Sequence, residues 1–230
     1  DRWIFWNNPH ITAENRNPLP WEVRYGIAVD VARGLAFLHE GSKRKVIHLN
    51  VTPRNVLLDV NFRAKLPDFR LSELIVRVEG EKAYTLSTIR GTMGYIAPEL
   101  VLDLPFTEKS DVFSYGMVLL ELLGGRRNLD PVAGCADGLC FQAWAVKQAK
   151  NGDITSLIDR HLLDEVKDYP HAIAAESMKR LIHVAFWCIQ QNPSSRPSMS
   201  TILWMLEQHL QVPDPPLELT YVQGRDSAPN

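Results

Sequence analysis

The stretch VIHLNVTPRNVLLD, residues 46–59, brings His48, Asn50, Thr52 and Asn55 close together, and Asp68 follows in the run LPDFR with Arg70 two positions on. Asn50 and Asn55 are neutral amides, which donate and accept hydrogen bonds but cannot take up a proton as a general base. Asp68 is a carboxylate that a neighbouring guanidinium such as Arg70 would satisfy through charge-assisted hydrogen bonds. Metal chemistry has little support elsewhere. Cys135 and Cys140 lie in a Gly-containing connector without a second Cys or His pair, which argues against zinc. His39 and His161 have no partners at metal-binding spacing and receive no role.

The elements that must position these residues are mostly helices. Ile27, Ala28, Val31, Leu35 and Leu38 recur at three- and four-residue spacing and predict an amphipathic helix over 21–39. Residues 111–123, DVFSYGMVLLELL, are apolar nearly all round, the pattern of a central helix enclosed by others. Met178, Leu181, Ile182, Ala185, Phe186 and Ile189 form another stripe. So do Met199, Ile202, Leu203, Leu206 and Leu210, with Ser198 as a candidate N-cap. Between Val56 and Phe69 two short strands joined by a turn are predicted, and the rest carries little strand signal. Pro213, Pro215 and Pro216 cannot continue a helix, so residues 212–230 read as an extended or mobile tail.

Composition bounds the function. The 230 residues are 45% hydrophobic and 23% charged, which suits one globular domain with a buried core. A net charge of −2 argues against nucleic acid as a partner. Three cysteines, Cys135, Cys140 and Cys188, favour reduced thiols in a cytosolic setting, with Cys188 on an apolar helix as a core residue. No apolar run is long enough to cross a bilayer, and the opening residues do not form a signal peptide.

Five motifs occur in order: HLNVTPRNVLLD, KLPDFRLS, GTMGYIAPEL, SDVFSYGMVLLELL and NPSSRPSM. Together they resemble the large lobe of a protein kinase, and AFWCIQQNPSSRPSM followed by MLEQHLQVPDPP resembles plant receptor-like Ser/Thr kinases with lectin-like outer parts. The resemblance implies a kinase-like large C-terminal lobe over residues 1–211, predominantly α-helical with a short β-hairpin around the catalytic loop. The family pattern H-R-D-x-K-x-x-N is met by His48 and Asn55, whereas Leu49 stands for the arginine, Asn50 for the catalytic aspartate and Thr52 for the lysine. Asp68 and Phe69 match D-F-G, and Arg70 replaces its glycine. In the family Asn55 and Asp68 would hold magnesium. They therefore mark either a vestigial cofactor site for Mg and ATP or, through Arg70, a simple ion pair.

The resemblance further implies a buried ion pair between Glu99 and Arg196. It implies hydrogen bonds from the backbone of the His48 loop to Asp111, against the alternative of a solvated helix-terminal acid, and a place beside the substrate for Thr92. Thr85, Ser87 and Thr88 are loop hydroxyls open to phosphorylation by another kinase, and Trp3, Phe5 and Trp6 resemble a packing helix. A Gly-rich phosphate loop and its partner lysine do not occur in these residues, and in the family they belong to a smaller lobe before Asp1.

The resulting expectation is a pseudokinase lobe of a receptor-like kinase, not an enzyme, with no tightly bound cofactor. It would act as an interaction or regulatory module with a protein partner such as an active kinase, without inserting in a membrane. The setting would be cytoplasmic, on the cytosolic side of the plasma membrane if the chain is part of a receptor. The alternatives are a fragment of an ATP-dependent receptor-like Ser/Thr kinase with weak residual activity, and a truncated product without a selected function.

Overall fold

Apolar spacing in the first third becomes helix α1 (Trp21–Glu40), which buries Ile27, Ala28, Val31 and Leu35. The computed structural model describes residues 19–41, 44–76, 90–128, 141–167 and 171–217. The expectations for Trp3, Phe5, Trp6, Thr85, Ser87, Thr88, Cys135 and Cys140 lie outside the described residues. After α1 come strands β1 (Arg44–Ile47), β2 (Leu57–Leu58), β3 (Ala64–Lys65) and β4 (Glu73–Val76). The helices that follow are α2 (Pro98–Val101), α3 (Lys109–Gly124), α4 (Phe141–Lys150), α5 (Arg160–Lys167), α6 (His171–Cys188) and α7 (Met199–Leu206).

Helix α3 is the axis of the lobe. Every residue from Ser110 to Gly124 is buried, as expected of a sequence apolar nearly all round. Helix α6 packs along it through Gly116, where an added Cβ would stand 2.6 Å from Cys188 Cβ and 2.7 Å from Ile189 Cγ2. The glycine is therefore what lets the two helices approach so closely. On α6 the predicted stripe is realised, with Met178, Leu181, Ile182, Ala185, Phe186 and Ile189 all buried.

The last helix is shorter than its stripe suggests. Ser198 caps α7 by accepting the Thr201 N–H at 3.2 Å, but the helix ends at Leu206. Gln208 adopts a left-handed φ of 66°, and the His209 N–H closes back on the Trp204 carbonyl at 2.9 Å. Leu210 is consequently exposed and does not continue the buried row. Beyond it residues 212–217 run extended along α6, where the Trp187 indole donates to the Pro213 carbonyl and the Gln190 amide to the Pro216 carbonyl, both at 3.0 Å. This part of the expected tail is thus docked.

The strands form two small antiparallel sheets. β2 and β3 are the predicted hairpin, and Asp59 shapes its turn by accepting the N–H groups of Asn61 and Arg63. Phe69, assigned at the edge of this hairpin from sequence, instead starts a short turn of 3₁₀ helix. The second sheet, β1 with β4, was not anticipated. Each strand has only four residues, too few for a local alternation signal, and their pairing is long-range in sequence. A buried pair was also missed: Arg24 on α1 donates to Asp159 at 2.8 Å and to the carbonyls of Leu19 and Leu122, tying the start of α1 to the end of α3 and the start of α5.

Among the described residues no helix is long and apolar enough to cross a membrane. Because the atoms facing Gly116 are a rigid Cβ and a branched methyl, Gly116→Ala must push α6 away from α3. The substitution is expected to destabilise the chain by about 1–3 kcal/mol, the usual range for overpacking, measured as a lower midpoint in urea unfolding with an unchanged slope.

Candidate functional site

The loop carrying His48 follows β1, and its backbone is held from beneath by α3. Asp111, fully buried in the first turn of α3, accepts the N–H of His48 at 2.7 Å and that of Leu49 at 2.8 Å. His39, near the end of α1, meets the same carboxylate through Nε2 at 2.8 Å. Asp111 is therefore not a solvated terminal acid, and His39, given no role from sequence, is one of its partners. Nothing local marks His39, since its partner lies 72 positions away. Leu49 sits in the core at a left-handed φ of 61°, a conformation that costs a bulky residue energy. The bond from its N–H to Asp111 helps to offset that strain.

Around this anchor the side chains form a connected network. His48 Nε2 contacts the Pro67 carbonyl at 3.2 Å, and Nδ1 accepts the Asn50 N–H at 3.3 Å, so the ring proton lies on Nε2. The ring also tilts against Phe69, with centroids 5.3 Å apart. Asn55 donates from Nδ2 to the Asn50 carbonyl at 2.9 Å, closing the loop on itself. Asn50 turns its Oδ1 towards the Gly91–Ile96 stretch, where it accepts the Thr92 hydroxyl at 2.8 Å. Thr52 is buried, and the space between the loop and Gly91, Thr92 and Tyr95 is too narrow to admit water.

Asp68 faces Arg70. The guanidinium donates from Nε to Oδ1 at 2.6 Å and from Nη2 to Oδ2 at 2.9 Å, a two-pronged pair that engages both carboxylate oxygens. Arg70, first through its hydrogen bond and then through its charge, holds the Asp68 carboxyl below the ordinary value of 3.8. A magnesium ion at Asp68 would have to displace this guanidinium, and its charge repels a dication. As arranged, the donor set does not fit the ion. Asp68 itself has a left-handed φ of 73°, so the backbone here is held by its surroundings.

The structure brings Glu99 and Arg196 together in the interior. Arg196 donates from Nη1 and Nη2 to the two Glu99 oxygens at 2.8 and 2.9 Å. Its remaining N–H groups reach the carbonyls of Gln190, Lys109 and Gln191. All five donors of the guanidinium are thereby used. Glu99 also accepts the Ser110 hydroxyl at 2.7 Å. A third buried acid escaped the sequence reading: Glu121 on α3 accepts the Tyr95 hydroxyl at 2.7 Å and the Asn128 N–H at 2.6 Å. Burial and then Glu121 push the Tyr95 phenol far above its ordinary value, so it stays protonated and donating. Its only sequence trace was an acid inside an otherwise apolar helix, a pattern that calls for a buried partner.

Comparison with known proteins places this geometry. The family model described as protein tyrosine and serine/threonine kinase matches residues 10–206. The chain is 39% identical over 221 residues to the G-type lectin S-receptor-like serine/threonine-protein kinase SD2-5 of Arabidopsis thaliana, covering 96% of this chain and 25% of that protein. It is 40% identical over 220 residues to a probable receptor-like protein kinase of the same plant, covering 94% of this chain and 47% of the relative. Rust resistance kinase Lr10 of Triticum aestivum is 38% identical over 221 residues, with 94% of this chain and 32% of that protein covered. The chain belongs to the protein tyrosine and serine/threonine kinase family and is related to plant receptor-like Ser/Thr kinases. It spans between a quarter and a half of the length of these relatives.

The Asp68 pair gives a titration test. A depressed acid contributes its pairing above the unfolded value and loses it as pH falls through the lower folded value. In side-chain carboxyl NMR, Asp68 should therefore titrate below 3.8, and in Arg70→Ala its midpoint should move up towards that ordinary value.

Proposed function

We propose that the chain is a catalytically impaired kinase lobe, a pseudokinase module of a receptor-like kinase that works in phosphorylation signalling through binding. The observation that carries this reading is Asn50: a neutral amide stands where the family has its aspartate, and its oxygen already accepts the Thr92 hydroxyl. An amide cannot take the proton of a substrate hydroxyl, and general-base assistance is typically worth about 10² to 10⁴ in rate. Thr52 in place of lysine removes a cation from the transferring phosphoryl group, and Arg70 occupies the carboxylate that would hold magnesium. These losses compound.

The retained contacts support a binding role. The bonds from Arg196 to Glu99 and from Tyr95 to Glu121 fasten residues 95–99 to the helical lobe. Beside them Met93, Val101, Leu102 and Leu104 are exposed. A protein partner, an active kinase of the same complex on the cytosolic side of the plasma membrane, would dock on residues 92–104 and cover this apolar surface.

Two experiments test the reading. Incubated with radiolabelled ATP, magnesium and a general protein acceptor, the chain should show background incorporation only. Transfer that disappears in Asp68→Ala would overturn the impairment.

For docking, Arg196→Ala leaves Glu99 buried without its cation and should cost about 3–5 kcal/mol, with loss of the bound kinase in pull-down. Leu102→Asp, an exposed change that leaves the interior intact, should lose the same kinase without loss of stability. Retention of that kinase by folded forms of both variants would refute the docking surface.

A further inference from the structure

Away from the catalytic loop, a cleft of about 380 Å³ opens between α6 and the segment that follows α7. Glu176, Lys179, Arg180 and His183 are spaced so that they share one face of α6, and this face forms one wall. The opposite wall includes Gln211, Val212 and Asp214. The left-handed turn at Gln208 ends α7 and swings the chain outwards, while the bonds of Pro213 and Pro216 to Trp187 and Gln190 return it to α6. The cleft is therefore a built feature, held open at one end and pinned at the other.

Its charges are sorted by depth. Arg180 and His183 form the floor, with side chains 15% and 13% exposed, whereas the acids Glu176 and Asp214 are on the rim, 64% and 97% exposed. The ionic contacts are long: Arg180 to Glu176 along α6 and His183 to Asp214 across the cleft are both 3.7 Å, beyond hydrogen-bond length. Arg180 also lies by the Tyr25 hydroxyl of α1, whose own proton goes to the Leu206 carbonyl at 2.6 Å. A guanidinium has five donors in a planar fork, and the carboxylate beside this one is an exposed rim residue. Lys179, at the edge, adds a second cation to Arg180, and Leu210 and Val212 give the mouth an apolar lip.

We infer that this cleft is an anion site for a phosphate monoester, with Arg180 and His183 binding the phosphoryl oxygens, Lys179 closing over them, and the apolar lip receiving the carbon chain of the ester. A tetrahedral dianion uses a guanidinium fork and an imidazole approaching from separate directions, and the rim acids can turn into solvent to admit it. The site shares no residue with the catalytic loop and does not depend on whether that loop is active. Burial and then Lys179 hold the His183 imidazole below 6.5, opposed by Asp214 and Glu176, and Arg180 lines the cleft beside it. A bound dianion favours its protonated form, so binding takes up a proton and strengthens as pH falls towards about 6, where the phosphate ester itself takes up its second proton.

The test is an NMR titration of the 230-residue chain with inorganic phosphate, with phosphoserine capped at both ends, and with capped serine, at matched ionic strength. The His183 ring signals should shift saturably with both phosphates and not with serine, and more tightly as pH falls from about 8 towards about 6. Phosphoserine binding more tightly than inorganic phosphate identifies a side-chain-borne phosphoryl group as the ligand; equal binding identifies the free ion. Arg180→Gln should weaken binding by roughly tenfold or more, as expected for losing hydrogen bonds to a charged group. Since Arg180 also packs near Tyr25, the exposed reversal Lys179→Glu is the second variant, and it should lose most of the affinity in a folded chain. No saturable shift with either phosphate, or a shift that survives Lys179→Glu unchanged, would overturn the proposal.

Discussion

One buried carboxylate carries much of this architecture. Asp111 sits in the first turn of the central helix and receives hydrogen bonds from the backbone of the His48 loop and from His39 on α1. The end of α1 and the loop after β1 thus converge on two oxygens of a helix 62 to 72 positions further along the chain, out of reach of water. Removing the acceptor would leave two backbone N–H groups and an imidazole without their partner in the interior, and each orphaned group costs about 1–3 kcal/mol. It would also remove the bond that helps to hold Leu49 in its left-handed conformation. Loop geometry here is imposed from the core, and the bonds of His48 and Asn55 to the Asn50 backbone close it.

That division lets a family fold keep its frame when side chains of the loop change. Arg196 and Glu99 satisfy each other and their surroundings completely, so this anchor neither needs nor senses the chemistry above it. Asn50 and Asn55 preserve the hydrogen-bond shape of the loop with neutral amides. At Asp68 the substitution carries its own compensation. Arg70 brings a positive charge to a carboxylate that would otherwise want a cation, so the site is electrostatically satisfied by the chain itself.

Much of this was legible in the sequence because helices announce themselves locally. The enclosed α3 and the α6 stripe follow from three- and four-residue spacing, and the ordered motifs point to Glu99, Arg196 and Asp111. What escaped was set by distance in the chain. His39 and Arg24 look like ordinary polar residues on a helix until the fold brings them to Asp111 and Asp159. The β1 and β4 strands exist because they pair with each other, 32 positions apart at Arg44 and Val76 and 26 at Ile47 and Glu73, not because either has a strong pattern. The stripe running to Leu210 misled because the apolar spacing outlasts the helix, which a backbone reversal at Gln208 terminates. The anion cleft has no motif at all; it arises where α6 meets a segment whose path depends on that reversal.

The central claim is that the frame persists without a working nucleotide site, and its most direct measurement is thermal unfolding of the chain with and without magnesium and ATP. A ligand at 100 times its dissociation constant stabilises a folded chain by about 2.7 kcal/mol, which a melting curve resolves readily. The account predicts no nucleotide-dependent shift in the parent chain, because Arg70 occupies both oxygens of Asp68. A clear shift with magnesium and ATP that disappears in Asp68→Ala would contradict it.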